Sequence, residues 1–176
     1  MKPWRCVDRR EVFSQPPWLR METHRVRLPN GAEIPDWLWV DTPDFINVVP
    51  VLADGRYVCF RQQKYAVEGI TLGIVGGYLE PGEDPAGAAR RELREETGYV
   101  SDAWRSLGSY AIDGNRGCGR GHLFLAETCR KVAEPAADDL EDLEPVILDR
   151  EEMIRAVRAG EFGVMPWTAA VALALL

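Results

Sequence analysis

The sequence predicts a layered domain of the α/β or α+β class, in which strands and helices are intermixed. Two observations lead to this class: short β-branched or alternating runs recur along the chain, and one central and two C-terminal segments are helical in character. The length of 176 residues, 46% of them hydrophobic, suits one domain of ordinary size with a small appendage. Such a chain can bury a sizeable core.

The N-terminal 44 residues are predicted to form a small antiparallel β appendage. Residues 21–28 and 34–40 alternate in polarity around Asn30-Gly31, which is a hairpin signal. Four of the six tryptophans lie in this segment: Trp4, Trp18, Trp37 and Trp39. So much aromatic surface on so small a piece needs a cover, either a second copy of the chain or the rest of the same chain.

The remaining chain, outside one central helix, is predicted as short strands and two C-terminal helices. Turn residues bound the strands, and Gly160 closes the first of the two helices. The strands are residues 45–53, 57–63, 69–77, 104–112, 122–126 and 145–148, and the helices are residues 150–159 and 167–176. The segments 113–121 and 133–144, the second of them acidic, are predicted as loops.

The central helix has clear signals at both ends. Asp84-Pro85 supplies an N-cap and a first-turn proline, and Gly98 lies where a left-handed C-terminal cap is expected. The helix is therefore predicted to run from residue 85 to Thr97.

Composition excludes several classes of protein. Asp and Glu number 28 against 21 Lys and Arg, and the resulting charge of −7 argues against a general nucleic-acid or anionic-membrane surface. The longest strictly apolar run, residues 169–176, is far shorter than the roughly 18 residues of a membrane span. No apolar signal segment is visible at the start. We therefore predict a soluble cytoplasmic protein with no nucleic-acid or membrane partner.

Cysteines and histidines limit the kinds of site. The cysteines lie far apart without a C-x-x-C pair, at Cys6, Cys59, Cys118 and Cys129. This spacing favours reduced thiols over a disulfide framework or a zinc site. The two histidines, His24 and His122, exclude a site built from several imidazoles.

The central helix carries a cluster of carboxylates. Glu92, Glu95 and Glu96 are related by i, i+3 and i, i+4 spacing, so they lie on one helix face with Cβ atoms about 5–6 Å apart. Like charges at this spacing repel unless a cation lies between them. Hard oxygen ligands suit Mg²⁺ or Mn²⁺, and a merely solvated charged face is the alternative.

The stretch from Gly77 to Tyr99 resembles the Nudix box, whose pattern is G-x5-E-x7-R-E-U-x-E-E-x-G-U, with U a bulky aliphatic residue. The specified positions match at the required spacing: Gly77, Glu83, Arg91, Glu92, Leu93, Glu95, Glu96 and Gly98. Tyr99, at the final aliphatic position, is the one departure. The chain therefore resembles the Nudix hydrolases.

The resemblance implies a Nudix-type α/β/α sandwich around a mixed sheet, with the β appendage at residues 1–44 and the hydrolase domain at residues 45–176. It also implies hydrolysis of a nucleoside diphosphate linked to another group, by attack of water on a pyrophosphate phosphorus with a divalent metal, Mg²⁺ or else Mn²⁺. The metal ligands implied by the family pattern are the backbone carbonyl of Gly76 and the carboxylates of Glu92, Glu95 and Glu96.

The same resemblance assigns roles to other residues of the box. Glu95 and Glu96 are expected to be catalytic as well as metal-binding. Glu83 and Arg91 would pair and hold the loop onto the helix, a task that suits the bidentate geometry of carboxylate and guanidinium.

The order of the flanking elements resembles the branch that hydrolyses ADP-ribose and related nucleoside diphosphate sugars. For ADP-ribose the products would be AMP and ribose 5-phosphate. In that branch the N-terminal appendage helps to build a homodimer, which implies that Trp37 either stacks on a nucleobase or is buried at the interface. Two departures bear on the substrate. Gly73 stands where the branch commonly has a substrate-contacting glutamate, and the proline often found after the box in ADP-ribose enzymes is missing from residues 112–116.

The branch also implies a catalytic base on the acidic loop before the last strand. Glu141 stands at the matching place, with Asp139 and Glu144 as alternatives. A carboxylate can orient a metal-bound water because the metal has already lowered the pKa of that water. Most of the acidic side chains in this loop have a simpler explanation as solvated groups.

Further side chains are candidates for binding substrate. Arg61 and Lys64 would contact the terminal phosphate or ribose, and Arg116, in a glycine-rich loop, would bind phosphate through its guanidinium. Solvent exposure of Arg61 and Lys64, and an ordinary surface loop around Arg116, are the alternatives. With Trp37 these residues form the predicted substrate-binding set.

Two other functions stay open at this point. One keeps the chemistry but acts on a nucleoside triphosphate or a dinucleotide polyphosphate. The other is a Nudix module that senses a nucleotide without cleaving it, although such modules usually lose carboxylates of the box. In every case the expected partner is a small-molecule nucleotide.

Overall fold

The computed structural model describes residues 1–136 and 142–176 and divides into two compact units. The first, which we call the β unit, consists of Met1–Asp44 and Tyr110–Arg120. The second, which we call the α/β unit, consists of Phe45–Ser109 and Gly121–Leu176. The predicted division at residues 44 and 45 differs in one respect, because the contacts of residues 110–120 group them with the N-terminal segment.

The β unit is built around three antiparallel strands, β1 (Arg5–Gln15), β2 (Leu19–Arg27) and β3 (Glu33–Asp41). The turn between β2 and β3 contains Gly31 with φ 88°, in agreement with the predicted hairpin. Strand β1 was not predicted as a separate strand. Its register shifts between Cys6 and Asp8 and again between Glu11 and Phe13, and these bulges break the period of two that identifies a strand.

The remaining strands are numbered in chain order. They are β4 (Phe45–Leu52), β5 (Tyr57–Gln63), β6 (Ile70–Gly73), β7 (Val75–Tyr78), β8 (Tyr99–Val100), β9 (Ala103–Asp113), β10 (Gly117–Lys131) and β11 (Glu144–Leu148). In the α/β unit, β4 pairs antiparallel with β7 and parallel with the part of β10 that begins at Gly121. Strand β5 pairs antiparallel with β6 and β11, so the sheet is mixed.

Two predictions about strands were wrong. The single strand at 69–77 is divided into β6 and β7, which pair with different neighbours. The loop at 113–121 is shorter than predicted, because β10 already begins at Gly117, opposite Val40. Gly117 and Cys118 have positive φ angles of 88° and 63°, which is typical of loops and explains why the sequence favoured one.

Helix α1 spans Pro85–Thr97 and begins and ends as predicted. The Asp84 carboxylate caps its N-terminus by accepting hydrogen bonds from the N–H groups of Ala86 and Gly87, each at 3.0 Å. Gly98 ends the helix in the left-handed conformation, with φ 72°.

Helices α2 (Arg150–Ala159) and α3 (Met165–Leu175) complete the α/β unit. Asp149 and Glu152 form a capping box at the start of α2, whose bounds are those predicted. Helix α3 begins two residues earlier than predicted, because its first turn includes Pro166. No helix within the described residues is long and apolar enough to cross a membrane.

The sheet of the α/β unit is covered by helices on both faces. One buried cluster contains residues of α1 and of the sheet: Ile46, Val48, Phe60, Val75, Ala88, Ala89 and Leu93, among others. The other contains residues of the sheet, α2 and α3, including Val49, Tyr57, Leu72, Met153, Trp167 and Val171. These two layers form the predicted α/β/α sandwich.

All four cysteines are free thiols, as their spacing predicted. Burial raises the pKa of the Cys59 thiol to about 12 and that of Cys129 to about 11. Neither thiol forms a reactive thiolate at neutral pH.

The segment that follows β10 is fixed against the C-terminal end of α1. The N–H groups of Val132 and Ala133 donate to the carbonyl of Gly98, and that of Ala136 donates to the carbonyl of Glu95 at 2.8 Å. Carbonyl groups at a helix end need such partners. The segment 132–136 is thereby held at the end of the carboxylate-bearing helix.

We predict that Gly98→Ala destabilises the protein more than Gly160→Ala. Both glycines are left-handed, with φ 72° and 71°, so either alanine costs about 1–2 kcal/mol through its backbone conformation. A Cβ at position 98 would also collide with the carbonyl oxygen of Ala133, whereas one at position 160 meets nothing within 4 Å. Urea unfolding of both variants measures the difference. Equal losses would contradict a fixed position for segment 132–136.

Candidate active site

The guanidinium of Arg91 is the centre of the charged cluster on α1. It forms a bidentate pair with Glu83, with Nε donating to Oε1 at 3.0 Å and Nη2 donating to Oε2 at 2.9 Å. Nη1 donates to Glu92 Oε1 at 2.8 Å and to Glu95 Oε2 at 3.1 Å. Nη2 also donates to the carbonyl of Tyr78. One arginine therefore connects the loop before the helix to two carboxylates on it.

These contacts perturb the ionisation of both members of the predicted pair. Hydrogen bonds from Arg91 lower the pKa of Glu83, and the Glu83 carboxylate is the largest cause of a raised pKa at Arg91. The side chains of Glu83 and Arg91 are 18% and 25% exposed, so their attraction is only partly screened by water. The geometry agrees with the structural role that the box implies for this pair.

Glycines of β7 allow a close approach between strand and helix. A Cβ at position 77 would collide with the carboxylate of Glu92, whose side chain is 14% exposed. A Cβ at position 76 would collide with the amide of Asn47, a buried residue of β4. Within the described residues, Asn47 Oδ1 has no hydrogen-bond partner. Gly76 and Gly77 are therefore required by space, although neither has a positive φ angle.

The three carboxylates of the box are not brought to one point. Glu92 and Glu95 share the Nη1 atom of Arg91, whereas Glu96 lies against a recess at the end of α1. Within residues 1–136 and 142–176, no three His, Cys, Asp or Glu side chains are grouped to hold a metal ion. The donors nevertheless fit a hard divalent cation, because they are carboxylates on one helix and Gly77 leaves room for Glu92. Such an ion would compete with Arg91 for the carboxylates of Glu92 and Glu95.

The recess beside Glu96 has a volume of about 350 Å³. We call it the Glu96 recess. Its lining residues are Val58, Phe60, Glu96, Thr97, Tyr99, Lys131, Pro135, Leu143, Pro145 and Ile147. The recess could not be predicted from the sequence, because its lining residues come from separate segments.

Of the residues considered for the base, Glu141 and Asp139 lie outside the described residues. Glu144 is the first residue of β11 and stands opposite Arg61 in the pairing with β5. It is exposed. The assignment of the base to Glu141 stays a prediction.

The predicted substrate-binding residues belong to different units. In the β unit, Trp37 Nε1 donates to the carbonyl of Asn115 at 2.8 Å, so Trp37 lies next to the turn that contains Arg116. In the α/β unit, Arg61 is exposed on β5, and the ammonium group of Lys64 lies 5.7 Å from the ring centroid of Trp167. Trp37 therefore lies beside the turn of Arg116 in the β unit, and Arg61 and Lys64 are close in sequence in the α/β unit.

Gly73, the departure from the ADP-ribose branch, has a steric explanation. A Cβ at this position would collide with the amide of Gln62 and would come 3.3 Å from the ring of Trp167. Gln62 is 4% exposed. In this chain Gln62 fills the space that a side chain at position 73 would enter, so a larger residue there would displace Gln62.

Comparison with known proteins tests the resemblance. Residues 41–168 match the NUDIX domain. The chain belongs to the Nudix family. A methanol dehydrogenase activator of Bacillus methanolicus is 31% identical over 134 residues, which are 74% of this chain and 72% of that protein. An ADP-ribose pyrophosphatase of Bacillus subtilis strain 168 is 29% identical over 137 residues, 77% of this chain and 74% of that protein.

A solved structure confirms the fold of this Nudix hydrolase. The crystal structure of an ADP compounds hydrolase superposes with a TM-score of 0.80, covering 99% of this chain and 93% of that one at 19% sequence identity. The predicted α/β class and the recognition of the Nudix family are both confirmed. The roles of individual site residues stay predictions.

We predict that Glu83 contributes stability that is lost in acid. Its folded pKa lies below its ordinary value of 4.5, because Arg91 donates to it. The contribution is complete above about pH 4.5 and disappears as the pH falls through the lower folded value. The difference in unfolding free energy between the wild type and Glu83→Gln should therefore be largest at neutral pH and shrink in acid. Urea unfolding across this range measures it.

The control for this prediction is Glu68→Gln, which changes an exposed glutamate outside the Arg91 cluster. It should give no comparable pH-dependent difference. A Glu83→Gln difference that stayed constant from neutral to acid pH would show that the ion pair with Arg91 does not contribute.

Proposed function

We propose that this Nudix hydrolase cleaves the pyrophosphate bond of ADP-ribose or of a related nucleoside diphosphate sugar with Mg²⁺, or alternatively Mn²⁺. With ADP-ribose it gives AMP and ribose 5-phosphate. The observation that carries the proposal is that α1 holds the box carboxylates Glu92, Glu95 and Glu96, the first two of them hydrogen-bonded to Arg91. The name of the Bacillus subtilis relative supports the choice of substrate.

The metal would be held by the carbonyl of Gly76 and the carboxylates of Glu92, Glu95 and Glu96. When bound, it would neutralise charge on the phosphate oxygens and lower the pKa of a bound water. The chain's contribution is the position of the carboxylates. Arg91 restrains Glu92 and Glu95 through hydrogen bonds of 2.8 and 3.1 Å, which limits their rotamers.

The proton of the attacking water is accepted by Glu141 in this proposal. The water oxygen forms a bond to one phosphorus of the pyrophosphate, and the bond from that phosphorus to the bridging oxygen breaks. The segment 132–136, which precedes Glu141 in the chain, is fixed to α1 by backbone hydrogen bonds. This connection supports a base that works close to the carboxylates of the helix.

The proposed substrate contacts come from residues of both units. Trp37 and Arg116 of the β unit bind a nucleobase and a phosphate, and Arg61 and Lys64 of the α/β unit contact phosphate or ribose. The β unit also takes part in a homodimer. Its large exposed apolar side chains support this role, with 49–57% exposure at Trp4, Val12, Phe13 and Trp18.

We predict that Glu96→Gln abolishes most turnover while leaving the fold intact. The amide keeps the shape of the side chain but removes the charge that a divalent cation requires. Release of phosphate-containing products is measured with ADP-ribose, other nucleoside diphosphate sugars, dinucleotide polyphosphates and nucleoside triphosphates, with and without a chelator. The matched control is Glu151→Gln, an exposed glutamate of α2, which should behave as the wild type.

The panel separates the candidate functions. Metal-dependent cleavage of a diphosphate sugar supports the proposal, and preference for a triphosphate or a dinucleotide polyphosphate would replace the substrate. Nucleotide binding without any cleavage would indicate a sensing module. Near-normal activity in Glu96→Gln would contradict the metal-site assignment.

We predict that Gly77→Ala lowers turnover although it leaves all box carboxylates in place. The new Cβ collides with the carboxylate of Glu92 and forces it to move. A mutation that disturbs the position of a metal ligand typically lowers metal affinity or activity by roughly 10- to 100-fold. Metal titration of turnover measures the loss. Gly114→Ala, whose Cβ meets nothing within 4 Å, is the control, and equal activity in the two variants would argue against Glu92 as a ligand.

A further inference from the structure

We propose that the Glu96 recess binds a planar aromatic ring of the substrate. The inference rests on the proposed function and extends it to an aromatic part of the substrate, which is joined to the reacting phosphates through a ribose. Every residue that lines the recess belongs to the α/β unit and to the described residues. The volume of about 350 Å³ is sufficient for a small-molecule group.

The floor and walls of the recess are mostly apolar. Val58 and Phe60 of β5, which are 2% and 3% exposed, line the recess. Tyr99 follows α1, and Leu143 and Ile147 approach from the segment around β11. An aromatic ring buries a large apolar area against such side chains and pairs favourably with other rings.

Two polar side chains of the lining, Thr97 and Lys131, already have partners. The hydroxyl of Thr97 donates to the carbonyl of Leu93 and accepts from the N–H of Tyr99. Lys131 Nζ forms an ion pair with Glu134 at 2.8 Å. A sugar in this recess would lose water from its hydroxyl groups and find few replacements for those hydrogen bonds. A flat ring with few polar atoms avoids that loss.

Glu96 connects the recess to the reaction centre. Its carboxylate is a proposed metal ligand and also lines the recess, so a ring bound there would lie beside a group of the proposed metal site. The ring therefore belongs either to the nucleobase of the ADP portion or to a second ring on the other side of the pyrophosphate.

The test compares two substrates that differ by one ring. Diadenosine diphosphate is ADP-ribose with a second adenine on its terminal ribose. Leu143→Gln places a polar amide in the half-buried wall, and Ile147→Gln, at a residue 38% exposed, repeats the test where the fold tolerates change. Val132→Gln is the matched control, because Val132 is exposed and does not line the recess.

We expect Leu143→Gln and Ile147→Gln to raise KM by about tenfold with little change in kcat, and Val132→Gln to leave both constants unchanged. A rise for diadenosine diphosphate alone assigns the recess to the second ring. An equal rise for both substrates assigns it to the adenine of the ADP portion. Unchanged KM for both substrates, in variants that remain folded, overturns the proposal.

A second measurement separates this proposal from the proposed function. Calorimetric binding of diadenosine diphosphate in chelator does not depend on turnover. If the wild type binds and Leu143→Gln binds about tenfold more weakly, the recess holds a ring even when no diphosphate is cleaved. Binding of equal strength in both proteins overturns the proposal, whatever the panel of substrates shows.

Discussion

The arrangement of α1 and its surroundings depends on the hydrogen bonds of Arg91. Without its positive charge, Glu83 of the loop before α1 and Glu92 and Glu95 of the helix would repel one another. With it, the loop before α1 is tied to the helix and Glu92 lies against Gly77. The guanidinium therefore neutralises carboxylates that a divalent cation would also bind.

The helix ends and the hairpins could be predicted because their signals are local. Asp84 and Gly98 determine α1 by capping, and the α2 bounds follow from Asp149 and Gly160. The split between β6 and β7 could not be predicted, since it depends on which neighbour each half pairs with. Strand β1 escaped notice for a different reason, because its bulges remove the alternation.

In the candidate site, too, the features with local sequence signals could be predicted and those that depend on distant contacts could not. The box residues were identified from spacing, and the Glu83–Arg91 pair has the geometry expected of it. The sharing of Arg91 by Glu92 and Glu95, with Glu96 turned to a recess, could not be read from helical periodicity, which fixes only Cβ positions. The Glu96 recess and the filling of space by Gln62 beside Gly73 both require contacts between distant segments.

The two bulges of β1 have a consequence for solubility. An outermost strand of eleven residues would ordinarily offer a long row of free backbone groups to any extended chain. Here the ladder is interrupted at two places, and Arg5, Arg9 and Arg10 add charge along the strand. A neighbouring strand can therefore align with only a short stretch at a time. Indefinite growth of a sheet from this edge is therefore disfavoured.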